Sequence, residues 1–88
     1  MEEFDMGKHS HDFVDTYEGL VGYGYDRENN ENTLAYYLQK FSDDEHIKLI
    51  VKRMSDEDME NLYDIICGLL KKYLEEEEYH KLFLKDEK

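Results

Sequence analysis

From residue 30 onward, apolar side chains recur at intervals of three and four. Leu34, Tyr37, Leu38 and Phe41 stand at i, i+3, i+4 and i+7, the spacing that gathers side chains on one face of a helix. Asn30 or Asn32 is placed to cap that helix. Ser42, followed three residues later by Glu45, reads as a capping box opening a second helix with the stripe Ile47, Ile50, Val51 and Met54. Ser55 opens a third, with Asp56, Glu57 and Asp58 in a first turn where the positive end of the helix dipole favours acids. Its stripe is the strongest in the chain: Met59, Leu62, Tyr63, Ile66, Leu69, Leu70 and Tyr73 fall within an arc of about 120°. Leu62, Ile66 and Leu69 are the expected core. Glu75 to Glu78 prolong this helix or begin a fourth, which ends in Tyr79, Leu82 and Phe83 with Lys81 and Lys85 near its close.

The pattern before residue 30 is different. Residues 1–8 read as a frayed polar end. From Asp12 the period is two: Phe13, Asp15 and Tyr17 share one face, and Val14 and Thr16 the other. Val21, Tyr23 and Tyr25 then share a face opposite Gly22 and Gly24, and Glu18-Gly19 suits a tight turn. The spacing predicts a β-hairpin pairing 12–17 with 20–25. The expected fold is α+β, a single small domain over 1–88 in which an N-terminal two-stranded hairpin packs on three or four short α-helices spanning 30–84. The chain has no proline, consistent with helices joined by short connections.

Charge sets the class of partner. With 23 acids against 11 bases the net charge is −12 over 88 residues, which disfavours nucleic acid and anionic membrane, since both are bound through cations on the protein. No apolar run approaches the roughly 20 residues of a membrane span. Met1 leads into Glu2, Glu3 and Asp5, where a signal peptide would carry basic and then apolar residues. The single cysteine, Cys67, has no partner in the chain for a disulfide, in keeping with a reducing compartment. The expected location is the cytoplasm.

Candidate chemistry is sparse. In an extended segment His9 and His11 point the same way and could chelate one transition-metal ion, with Asp5, Asp12, His46, His80 or Cys67 to complete the site. Cys67, at the edge of the third stripe, reads as a small buried hydrophobe. The run LVGYGYDRENNENT reads as a strand passing into a helix start. As a base-stacking platform it lacks the basic residue before Gly22. As a calcium loop from Asp26 it has Glu31 and Tyr37 where glycine and glutamate are required. Acids are abundant but explained by helix starts and solvated faces, and no phosphate-cradling glycine loop, nucleophile elbow or zincin motif is present. The sequence does not read as that of an enzyme.

The surface suggests contact with another protein. Tyr36 lies off the first stripe beside Lys40, and Leu49 lies off the second amid Lys48, Lys52 and Arg53. Asp56, Glu57, Glu60 and Asp64 form an acidic surface on the third helix. The expected function is a small non-enzymatic interaction or regulatory protein that engages a partner with a basic surface through its acidic third helix, its basic second helix or the tyrosine-bearing strands, with room for self-association. The alternatives are a metal-binding protein using His9 and His11, and a DNA mimic that occupies a basic nucleic-acid-binding surface.

The run HSHDFVDTYEG…YGYDRE…ENTLAYYLQKFSDD, with EEEYHKLFLKD near the end, resembles a group of short bacterial proteins described only as cytoplasmic or hypothetical. The resemblance spans nearly the whole chain. It implies a cytoplasmic location and assigns no activity, so no residue takes a role from it.

Overall fold

A computed structural model describes residues 9–86; the end expected to fray, 1–8, lies outside them. The described residues are helical and contain no strand. The chain groups into two compact units, one up to Arg53 and one from Met54 onward.

The first unit holds α1 (Asp12–Thr16), α2 (Arg27–Phe41) and α3 (Asp44–Arg53). The α+β expectation and its hairpin are therefore wrong, and the reasons are local. Residues 12–16 obey a period of four. Phe13 and Tyr17 stack with ring centroids 5.0 Å apart, as i, i+4 aromatics do on one helical face, and Thr16 Oγ1 donates back to Asp12 O at 3.2 Å. Val14, on the opposite face in a strand, is instead the side chain turned onto α2, 4% exposed. Residues 20–25, the second expected strand, form a loop. Gly24 has φ +107°, a left-handed geometry that breaks a strand and suits glycine.

The helix starts also shift. α2 begins at Arg27, capped by Asp26, whose side chain accepts from Asn29 N at 2.8 Å, so neither Asn30 nor Asn32 is the cap. Ser42 closes α2, its N–H donating to Leu38 O at 2.9 Å. Its near-helical backbone (φ −93°, ψ 9°) lacks the extended geometry of an N-cap. The first turn of α3 is served by Asp43, whose Oδ2 accepts from Glu45 N at 3.2 Å. His46 Nδ1 lies 2.7 Å from Phe41 O, one of the carbonyls that a helix end leaves without an internal partner.

The second unit holds α4 (Asp56–Tyr73) and α5 (Glu76–Glu78), the latter running into a π-helical segment over Tyr79–Leu84. Ser55 caps α4 as its sequence indicates, its Oγ accepting from Asp58 N at 3.0 Å. Glu75 opens α5, its N–H donating to Glu78 Oε1 at 2.9 Å. The stripe of α4 forms at the expected register, yet none of its seven residues is buried. Leu62 is half-buried, while Ile66 and Leu69 remain 43% and 49% exposed; the core expected from them is not formed. No helix among the described residues is long and apolar enough to cross a membrane.

Candidate functional site

The most constrained surface feature of the first unit is the loop from Tyr17 to Tyr25. Its backbone polar groups, which a hairpin would pair across strands, are taken by side chains of α2. Asn29 Nδ2 and Thr33 Oγ1 both donate to Gly22 O, the latter at 3.2 Å, and Gly22 N–H donates to Thr33 Oγ1 at 3.1 Å. Two residues on, Gly24 N–H donates to Asn30 Oδ1 at 2.7 Å. The polar run from Asn29 to Thr33 is therefore a strap. Thr33 is 3% exposed, and a hydroxyl so deep is tolerated because it is hydrogen-bonded. At the other end Tyr17 Oη donates to Leu20 O at 3.1 Å. A Cβ at Gly19 would stand 2.3 Å from that hydroxyl oxygen, so a side chain there would displace the tip of the Tyr17 ring.

The strap fixes the backbone and leaves the aromatic side chains outside. Tyr23 and Tyr25 are 70% and 69% exposed. Tyr23 also lines a shallow cleft of about 260 Å³ with Thr33, Leu34 and Tyr37, and Tyr37 is 63% exposed. Leu20, Leu34 and Leu38 are exposed as well. The face of α2 that the sequence marks as core, Leu34, Tyr37 and Leu38, thus stays at the surface, and the polar face of Thr33, Tyr36 and Gln39 carries the packing. Val14 N–H donates to Gln39 Oε1 at 3.0 Å, and the Tyr17 and Tyr36 rings meet at 5.9 Å.

The sequence-derived candidates fall in separate places. Tyr36, expected at a partner surface, is half-buried against Tyr17, with Lys40 Nζ 5.2 Å from its ring centre. Leu49 is exposed on α3. Asp56, Glu57, Glu60 and Asp64 are all exposed on α4.

His9 and His11 are turned to different partners. His9 Nδ1 lies 2.8 Å from Asp15 Oδ1, and His11 Nε2 lies 3.0 Å from Ser42 Oγ. Between them Ser10 docks on the corner joining α2 and α3: its N–H donates to Asp43 Oδ1 at 2.7 Å, and Asp44 N–H donates to Ser10 Oγ at 3.0 Å. The Ser10 N–H, followed by that of Glu45, holds the Asp43 carboxyl below the usual carboxylate range, as donors to the charged form do. Among the described residues no group of three or more His, Cys, Asp or Glu is arranged to hold a metal ion.

In the second unit Cys67 is exposed, contrary to its reading as a buried hydrophobe. It lines a cleft of about 450 Å³ with Leu70, Lys71, Leu74, Glu76 and Tyr79. A hydrogen bond with Cys67 is the main cause that raises the pKa of Tyr63, one helical turn away.

Sequence reasoning offers the loop tyrosines as a partner surface but sets them on strands rather than on a strapped loop, because Val21, Tyr23 and Tyr25 alternate with glycine as strand residues do. The available signal was the crowding of Asn29, Asn30 and Thr33 just after two glycines, side chains able to serve a backbone that has no partner strand. Compared with protein-family models, curated proteins and solved structures, the chain finds no match.

Proposed function

We propose that this chain is a small, acidic, cytoplasmic, non-enzymatic interaction protein that grips a Lys/Arg-rich segment of a partner protein with the tyrosine face of its first unit. One observation carries the reading: Tyr23 and Tyr25 are largely exposed on a loop backbone pinned by Asn29, Asn30 and Thr33, beside the exposed Tyr37 of α2. Solvent-facing aromatics are hard to account for as core. Tyrosine is enriched at binding hot spots, and a prefixed backbone lowers the ordering cost of association.

Charge names the partner. The chain carries −12, and Glu18, Asp26 and Glu28, exposed neighbours of the loop in sequence, add local negative potential. A guanidinium or ammonium over a tyrosine face gains cation–π attraction while the surrounding acids speed its capture. The cytoplasmic placement is supported by the lone cysteine, Cys67, which has no partner within the chain for a disulfide.

NMR titration with an arginine-rich peptide at physiological salt tests the reading. The ring resonances of Tyr23, Tyr25 and Tyr37 should move together and saturate, and Tyr23→Ser with Tyr37→Ser should weaken binding by roughly thirtyfold, the worth of one hot spot of about 2 kcal/mol. Shifts confined to the acids of α4, with the tyrosines still, would place binding elsewhere.

A further inference from the structure

The second unit carries an apolar helix face with a repeat of its own. Along α4, Met59, Ile66 and Tyr73 recur every seven residues and Leu62 and Leu69 fall between them, the a and d positions of a heptad. All five are uncovered or only half-covered, Tyr73 at 68% and Met59 at 42% exposure. Ile65 stands about 100° from the stripe centre and is also exposed; an isoleucine there has no role in a lone helix. In heptad terms it is a g residue, which flanks the seam of a helix pair.

We propose that α4 pairs with α4 of a second copy of this chain, antiparallel about a two-fold axis close to Asp64 and Ile65. The charges along the rim select both the occupant and the direction. Asp58 in the first turn and Lys72 in the last both hold g positions of the heptad, which flank the seam, and Asp56 holds an e position. Antiparallel pairing that sets a opposite d places Met59 on the partner copy's Leu69 and Leu62 on its Ile66. The same register brings g opposite g. Ile65 then meets its own copy on the axis, and Asp58 meets Lys72 twice, once on each side. A parallel pair would instead set acidic end on acidic end and lysines on lysines, with the helix dipoles aligned side by side and like ends adjacent.

The surface is thus self-complementary, as an isologous two-fold interface requires. Its 18 residues give a seam of about 27 Å. The remaining acids do not oppose it at close range: Glu57, Glu60 and Asp64 hold the f, b and f positions of the heptad, on the outer side of such a pair. Repulsion between them is screened beyond about 8 Å at physiological salt. This inference is independent of the tyrosine face, which lies on the first unit.

Analytical ultracentrifugation of the full chain across a concentration series is the test. The wild-type mass should climb from 10.7 kDa towards twice that value, and Ile66→Glu should hold it at the monomer with helical circular dichroism retained. Asp58→Lys alone and Lys72→Glu alone should each weaken association by about tenfold or more, since like charges then face each other on both sides of the axis. Combining them should restore it. A wild-type chain that stays monomeric throughout would overturn the proposal and assign the stripe to a different protein or to the chain's own residues. A dimer that tolerates both single reversals, or that the combination fails to restore, would overturn the antiparallel register.

Discussion

Ser10 and Asp43, 33 residues apart, clamp the N-terminal segment to the corner between α2 and α3: Ser10 N–H donates to Asp43 Oδ1 at 2.7 Å while Asp44 N–H donates to Ser10 Oγ at 3.0 Å. Each satisfies a group the other segment leaves open, and Ser10 acts as a remote cap for α3. Removing the hydroxyl in Ser10→Ala should cost about 1 kcal/mol, the worth of an N-cap, read by urea denaturation. The amides of Ser10 and Asp44 should exchange faster in that variant.

The same clamp gives an acid limb to the stability profile. Asp43 has its folded pKa below the ordinary 3.8 because Ser10 N–H and Glu45 N–H stabilise its charged form. A carboxyl depressed in the folded state contributes stability above its unfolded pKa and loses it as pH falls through the folded value. Stability from this group should therefore be complete at neutral pH and fade below about pH 4. Asp43→Asn should reduce stability at pH 7 and flatten the acid limb. An unchanged limb would show that the clamp does not titrate with folding.

Thr33 and Gly24 test the strap. Thr33→Val keeps the volume and leaves Gly22 N–H and C=O without the buried hydroxyl, at a cost of about 1–3 kcal/mol. Gly24→Ala forces a side chain onto φ +107° and should cost about 1 kcal/mol or more. Gly68→Ala is the control of opposite sign. Gly68 lies inside α4 with open space where a Cβ would go, so alanine should stabilise by about 0.5–1 kcal/mol through helix propensity. Thermal melts of the three variants should separate in that order.

Charge reversal at Glu60 and Asp64 probes the outer face of α4. Both are exposed, so the double reversal should change stability by less than about 0.5 kcal/mol per site. Capture of a basic partner should slow, and the effect should shrink as salt rises. A partner whose affinity ignores both the reversal and salt would leave the acidic face as a solubility feature.

How legible this molecule is from sequence differs between its halves. Ser55 and its acids, and the heptad-like stripe behind them, define α4 through local rules, and the structure follows them. The stripe's environment is a tertiary fact that periodicity does not carry: a face with period 3.6 looks the same whether covered by its own chain or left open, so the register of Ile66 and Leu69 does not decide whether they are buried. In the first unit the signals compete. Phe13 and Tyr17 satisfy both a strand's alternation and a helix's four-residue repeat, and the stacked rings decide for the helix. Asn29, Asn30 and Thr33 look like helix-start residues because the chemistry that caps a helix also straps a loop. His9 and His11 have the spacing of a chelating pair, whereas the residue that anchors the segment is Ser10 between them.

The most direct test of the tyrosine face combines loss of its rings with loss of their support. Calorimetric titration of an arginine-rich peptide against the wild type, Tyr23→Ser with Tyr37→Ser, and Thr33→Val would compare the two at physiological salt. The expected result is strong weakening without the rings and intermediate weakening in Thr33→Val, where all tyrosines remain but the loop loses the two Thr33 bonds to Gly22, since preorganisation contributes to affinity. Equal affinity for all three proteins would contradict the assignment of this face as the docking surface.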